Sequence, residues 1–302
     1  MVRTGSHRYL TLSSSFSVSI TAGIRGTPRS APPSTANAVY SLKQSLRIKG
    51  AAGEPLPQVW SSLGARLMRG SLNLICAAPN TGKSAFILSY ALWAGTPTLY
   101  FSADSDHFMQ LSRSLSILTE MTMDESERLI RSRDLDGYAE IINLPIQFDY
   151  RAAPTLEDIS DTVNAWAQRD GEYPELVIID NITNVRTDLN TEDPFTGLEV
   201  VMDELHVLAR STSACVVALH HVTGRYNDGD QPIPLSGIKG QIGRVPEMIL
   251  TLHRVPSTFG PADTLRVSTV KNKYGAADPT GSSYASLEFV GRTMQIRDYR
   301  KD

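Results

Sequence analysis

Cysteine is nearly absent from this 302-residue chain, which has two, Cys76 and Cys215. Both lie in apolar, strand-like segments, so a disulfide framework is excluded and buried, reduced thiols of an intracellular protein are expected. No apolar run approaches the ~20 residues of a membrane span, and no membrane role is expected. Zinc-type Cys/His spacing and internal repeats are missing as well. Acidic residues are missing from one end only. Residues 1–53 hold Arg3, Arg8, Arg25, Arg29, Lys43, Arg47 and Lys49 but no Asp or Glu. The rest of the chain carries 22 basic against 32 acidic residues, and the whole has a net charge of −3. The totals therefore carry no global attraction to nucleic acid, while a local basic surface stays open. With 41% hydrophobic and 20% charged residues, the composition is that of a soluble globular protein. The length allows one large domain or a domain with a small appendage.

Residues 1–54 read as a basic, flexible arm. The stretch Thr11 to Asn37 is rich in Ser, Thr, Ala and Pro and has no sustained periodicity. Three roles stay open for it: a tether to nucleic acid or a partner subunit, an organelle transit peptide, or an inert extension. Within it only Ser41 to Lys49 suits a short helix.

Residues 55–302 alternate strand-like and helix-like segments, the pattern of an α/β domain with a mostly parallel central sheet flanked by helices. Helices are expected at Lys83–Ala94, Phe108–Leu118, Asp124–Ile142 (one or two) and Thr155–Arg169, where Thr155 and Asp158 are spaced as a capping box. A further long helix is expected at Phe195–Ser211 and a short one within Ser236–Val245. Strands are expected at Thr98–Ala103, Ile146–Asp149 (short), Leu176–Asp180 and Ala214–Leu219, the last two buried. Met248–His253, Thr264–Lys271 and a hairpin of Tyr284–Phe289 with Met294–Asp298 close the sheet as C-terminal antiparallel strands.

The chemistry concentrates in Leu72 to Ser84, LNLICAAPNTGKS. An apolar strand breaks into a tight turn and resumes as a helix, the setting a phosphate-binding loop requires. The loop Ala78-Pro79-Asn80-Thr81-Gly82 would curl around phosphates through the backbone N–H groups of its non-proline residues, helped by the helix N-terminus. Lys83 would reach the β/γ-phosphates of ATP, the Ser84 hydroxyl would ligate Mg²⁺, and Phe86 is counted with the nucleotide-binding set. Downstream, Leu176-Val177-Ile178-Ile179-Asp180 is an apolar run ending in a carboxylate, as expected of a central parallel strand whose tip holds the metal. The opposing reading of Asp180, an N-cap for the next helix, is weakened by the phosphate loop upstream.

The order of these landmarks, from Leu56 to Ile296, resembles the RecA-fold ATPases of the DnaB type, the ring-forming replicative helicases of bacteria and phages. Members commonly open the phosphate loop with Ala and place Pro third, as Ala77 and Pro79 stand here. The resemblance implies a RecA-like P-loop NTPase fold and ATP hydrolysis with Mg²⁺. It implies a catalytic acid at the end of the second strand, Asp104, where the family has Glu; Asp106 is a substitute. It implies a γ-phosphate sensor at His221, while His220 is read as a packed strand-end histidine. It also implies a finger into the neighbouring subunit's ATP at Lys273, in Val270-Lys271-Asn272-Lys273, where the family has Arg. Loops at the sheet's C-terminal edge would touch single-stranded DNA in a central channel: Asn181–Asp193 with Arg186, and Val222–Gly240 with Arg225, Tyr226 and Lys239.

The implied activity is a DNA motor working as a hexameric or heptameric ring in a bacterial or phage-infected host cytoplasm. Two alternatives stay open. One is a recombinase-type DNA-dependent ATPase. The other is a nuclease-type protein using ATP structurally, for which Glu157, Asp158 and Asp161 form the only close carboxylate group.

Overall fold

Alternating side-chain direction along the buried strands builds two separate cores, one on each face of a sheet. The computed structural model describes residues 41–45, 50–187, 194–222, 224–238, 240–258 and 260–299. The elements in chain order are α1 (Leu42–Ser45), β1 (Leu72–Ala77), α2 (Lys83–Ala94), β2 (Thr98–Ser102), α3 (His107–Thr119), α4 (Met123–Ser132), α5 (Ala139–Ile142) and β3 (Ile146–Asp149). They continue with α6 (Leu156–Asp170), β4 (Leu176–Asp180), α7 (Pro194–Thr212), β5 (Cys215–His221), β6 (Met248–Val255), β7 (Asp263–Asn272), β8 (Ala285–Val290) and β9 (Gln295–Asp298).

The sheet order is β3-β2-β4-β5-β1-β6-β7-β8-β9. The first six positions run parallel, and β6, β7, β8 and β9 pair antiparallel. This bears out the expected α/β fold with a mostly parallel sheet and C-terminal antiparallel strands.

On one face, Ile75 and Ala77 of β1, Ile178 of β4 and Val217 and Leu219 of β5 pack with Phe86 to Leu92 of α2. On the other, Leu74 and Cys76, Val177 and Ile179, and Val216 and Ala218 meet Ile159, Val163 and Trp166 of α6 and Val201, Met202 and Leu205 of α7. Because the central strands are covered on both sides, they read as near-continuous apolar runs. The capping box of α6 forms as expected: Thr155 and Asp158 exchange side-chain and backbone hydrogen bonds. Gly171, at φ 80°, ends that helix in the left-handed conformation.

Several boundaries differ from expectation for local reasons. The chain joins the domain before residue 55: Ala51 is buried, and Gly53 and Glu54 exchange backbone bonds with Arg69. The helix expected within Ser236–Val245 shrinks to a single 3-10 turn, Leu235–Gly237. Ile238 and Ile242 are spaced four apart like a helix face, but they are isolated anchors into the core between Gly237, Gly240 and Gly243. Of the helix expected at Ser41–Lys49, Leu42–Ser45 is helical and residues 46–49 lie outside the described residues. The rest of the expected arm, up to residue 40, also lies outside them. Among the described residues, no helix is long and apolar enough to cross a membrane.

Candidate active site

Parallel strands deliver their C-terminal tips to one edge, and this sheet order lines up the tips that matter. Ser102 of β2 is in register with Asp180 of β4, Ile179 of β4 with Ala218 of β5, and His221 of β5 with Ala77 of β1. The phosphate-loop segment starts where β1 ends, and Asp104 lies just beyond Ser102. Four expected residues, Lys83, Asp104, Asp180 and His221, are thereby gathered along one edge.

Electrostatics place them in one neighbourhood. Burial pushes the Lys83 ammonium below its usual range, while the charges of Asp180, Asp104 and Cys76 pull it back up. Burial and Lys83 likewise lower the His221 pKa, opposed by Asp104 and Asp180. Burial first, then His221 and Lys83, drops His220 to about 4, so both histidines are neutral at neutral pH. His220 is packed, at 7% exposure, as expected for a strand-end histidine.

The loop itself has the shape its residues allow. Asn80 adopts φ 59° and Gly82 φ 108°, left-handed conformations that suit Asn and Gly. A Cβ at Gly82 would also meet the Phe289 ring at 3.4 Å. The start of α2 carries no side-chain cap and no acidic residue in its first turn. Its N–H groups are therefore left to an anion. The Thr81 hydroxyl is buried without a partner among the described residues. An uncapped helix start, a buried lysine and an orphaned hydroxyl fit the phosphates of a nucleotide. Ser84 and Asp180 carry a hydroxyl and a carboxylate, the oxygen donors that suit a divalent cation. Tyr100 donates to Asp180 Oδ2 at 2.8 Å, and among the described residues Oδ1 makes no hydrogen bond.

Asp104 accepts Asn181 Nδ2 on Oδ2 at 2.8 Å and Asn184 Nδ2 on Oδ1 at 3.1 Å. Asp106 caps α3 instead, accepting Met109 N at 2.9 Å, so it is committed and no substitute for Asp104. A cleft lined by Ser105, Asp106, Met109, Arg113 and Tyr150 opens beside Asp104. The peptide between Asp180 and Asn181 is cis.

Other expected residues land elsewhere. Phe86 is corrected from nucleotide contact to core: it is 2% exposed, stacks on Trp60 at 4.6 Å, and its N–H goes to Gly82 O. Tyr226 is corrected from a DNA-facing position to a buried one, with Gly237 directly against its ring. Arg225 is exposed, lies over the Tyr226 ring at 4.7 Å and hydrogen-bonds the Tyr226 hydroxyl. Arg186 is exposed on a short bridge to Thr155. Lys239 and residues 188–193 lie outside the described residues.

Lys273 sits at the opposite sheet edge from Lys83. Its neighbour Asn272 pairs with Met248 at the start of β6, and its ammonium lies 3.7 Å from Glu247. Lys271 is used locally, donating to the carbonyls of Gly243 and Arg244. In the carboxylate group Glu157, Asp158 and Asp161, Asp158 is taken by the α6 cap and Arg151. Among the described residues no cluster of three metal-ligating side chains forms.

Sequence reading missed Tyr100, Asn181, Asn184 and Gly229, whose backbone packs against Thr81 and Ala78. A tyrosine inside a buried strand needs a hydroxyl partner, which was a usable signal. Nothing local marked the asparagines or the glycine.

Residues 40–225 match the family described as AAA domain. The chain is 57% identical over 267 residues to the Gene 65 protein of Mycobacterium phage L5, covering 86% of this chain and 99% of that one. It is 25% identical over 243 residues to a probable plasmid replicative DNA helicase of Chlamydia psittaci, covering 74% of this chain but only 52% of that one. Two solved structures share the fold. A DnaB-like replicative helicase, described with its interactions with primase, superposes at TM-score 0.67 and 17% identity over 81% of this chain and 62% of its own. A second structure, described as an ATPase domain, superposes at TM-score 0.68 and 16% identity over 85% of this chain and 96% of its own. The chain belongs to the AAA-domain family, and its fold is the one shared by that DnaB-like replicative helicase and that ATPase domain.

Proposed function

We propose that this protein is an ATP-hydrolysing motor of the DnaB-like helicase type, acting on single-stranded DNA as a hexameric or heptameric ring. The observation that carries the reading is the convergence of Lys83, Asp104, Asp180 and His221 on one sheet edge, beside an uncapped helix start. Lys83 holds the β/γ-phosphates of ATP, and α2 donates its first N–H groups to them. Asp104 orders the attacking water, which enters in line as the bond from Pγ to the ADP oxygen breaks. A magnesium ion held by Ser84 and Asp180 would supply charge neutralisation along the phosphate oxygens when bound. His221, neutral at the tip of β5, meets the γ-phosphate and reports its loss through Val222 to the loop beyond.

Lys273 acts on a neighbouring subunit's nucleotide. Its place at the far edge of its own sheet, 52% exposed at the side chain, supports a role in trans and argues against one in cis. Arg186 and Arg225, both exposed, contact the phosphate backbone, so binding is sequence-independent and salt-sensitive. The relative in Mycobacterium phage L5 supports a place in the infected host's cytoplasm.

The test is ATPase rate with and without single-stranded DNA, for the native chain and Asp104→Asn. DNA stimulates the native chain; the variant binds nucleotide and barely turns over. Normal turnover in the variant reassigns the water-ordering group.

A further inference from the structure

Lys271 and Lys273 stand together at the end of β7, and their ammonium groups are treated differently. Lys271 Nζ donates to the carbonyls of Gly243 at 2.9 Å and Arg244 at 2.6 Å, so it is spent within the subunit. Lys273 makes no side-chain hydrogen bond among the described residues, and its ammonium stands 3.7 Å from the buried carboxylate of Glu247. We propose that Glu247 is the positioning residue for Lys273, directing its ammonium outward to a second copy of this chain. The proposal rests on Lys273 as a group supplied in trans, as above.

Glu247 can set a position because its own is fixed. It is 6% exposed, and its Oε2 accepts Leu72 N at 2.9 Å, at the start of β1. Its carbonyl accepts Lys273 N at 2.8 Å, so the main chain and the side chain of Lys273 meet one residue. The turn beyond is held as well, with Tyr274 N donating to Asn272 Oδ1 at 2.9 Å. Leu72 opens the strand whose other end, Ala77, leads into the phosphate loop. The lysine turned outward is thus tied to the strand that carries the subunit's own phosphate-binding turn.

A long, flexible side chain loses rotamer freedom when it binds, and one already directed loses less. Glu247 gives that direction without using up donors. At 3.7 Å the attraction is ionic, which leaves the three N–H groups of Lys273 free for an oxyanion. His206 Nδ1 lies 3.4 Å from the same Oε1 and also makes no hydrogen bond among the described residues. Oε1 therefore faces two nitrogen groups and is hydrogen-bonded to neither.

The test is steady-state ATPase of the full chain at saturating ATP with an oligothymidylate, alongside affinity for a fluorescent ATP analogue. The proteins are native, Glu247→Gln, Glu247→Asp, Lys273→Ala and Lys83→Ala, alone and in equal mixtures. Glu247→Gln keeps an acceptor for Leu72 N and removes the charge. It should lower kcat about tenfold and leave nucleotide affinity near native. Mixed with Lys83→Ala, whose Lys273 is still held, it recovers activity. Mixed with Lys273→Ala, which has the same defect, it does not. Glu247→Asp keeps the charge and should retain more activity than Glu247→Gln. A carboxylate that served only the Leu72 N–H would give the opposite order, because the amide reaches as far as the native side chain. A native or raised rate in Glu247→Gln, lost nucleotide affinity, the opposite order, or no recovery with Lys83→Ala overturns the role of Glu247. If Lys273→Ala is slow in that case, the action of Lys273 in trans survives without it. A native rate in Lys273→Ala removes the underlying reading and the role of Glu247 together.

Discussion

A Cβ on Gly229 would stand 2.5 Å from Thr81 Oγ1 and 3.1 Å from the Ala78 Cβ, so the 224–233 segment rests directly on the phosphate loop. Gly229 also has φ 72°, and its carbonyl accepts Arg254 N at 2.7 Å. Substitution to Ala cannot be absorbed by a rotamer change, because both the clash and the backbone conformation oppose it. Gly229→Ala should cost about 1–3 kcal/mol of stability and weaken nucleotide binding roughly tenfold. Titration with a fluorescent ATP analogue checks the second effect; native affinity would show that the contact is passive.

Tyr100 is buried, and burial together with Asp180 holds its phenol protonated well above the usual tyrosine range. It can therefore only donate to Asp180. Tyr100→Phe keeps the ring packing against Phe148 and leaves a buried carboxylate oxygen unpartnered. The expected cost is about 1–3 kcal/mol in chemical denaturation. Half-maximal ATPase should also require more magnesium. An unchanged magnesium titration would mean that Tyr100 does not set the position of Asp180.

His220 supplies a pH dependence. Its folded-state pKa of about 4 lies below the ordinary 6.5, with burial the largest cause, then His221 and Lys83. The unfolded chain therefore binds more protons between those values, and stability falls as pH is lowered from about 6.5 toward 4. The loss from this one group is on the order of 2–3 kcal/mol. In His220→Asn the denaturation midpoint should fall less steeply over that window. A slope identical to the native one would assign the acid sensitivity elsewhere.

Lys273 can be tested by mixing subunits. Lys273→Ala and Lys83→Ala chains should each hydrolyse ATP poorly alone, the first lacking the group given to a neighbour and the second its own phosphate grip. Mixed in equal amounts, they should recover activity, because some interfaces then pair an intact loop with an intact lysine. The recovery is measured as ATPase rate against mixing ratio. Strict proportional dilution, with no recovery, would confine Lys273 to its local pair with Glu247.

Much of this was legible because the signals are local. A Gly-Lys-Ser run between an apolar strand and a helix states its own geometry, and Asn80 and Gly82 adopt the positive φ angles their types permit. A five-residue apolar strand ending in Asp180 announces a covered parallel strand with an acidic tip. Phe86 and Tyr226 depart from expectation for one shared reason. Proximity in sequence to a functional loop does not say which way a ring faces, and an aromatic side chain gains more from burial than from a solvated edge.

What the chain determined by itself was the alternation of strands and helices, the tight turn before α2 and the acid at the end of β4, since each rests on periodicity or on a short contiguous motif. Only the tertiary structure decided the partners. The order β2-β4-β5-β1 brings Asp104, Asp180, His221 and Lys83 to one edge and sends Lys273 to the other. Packing also closes Asn181 and Asn184 onto Asp104, Tyr100 onto Asp180 and Gly229 onto Thr81. The bonds to Asp104 and Asp180 join residues 77 to 80 positions apart in the chain, and no local propensity encodes a separation of that kind.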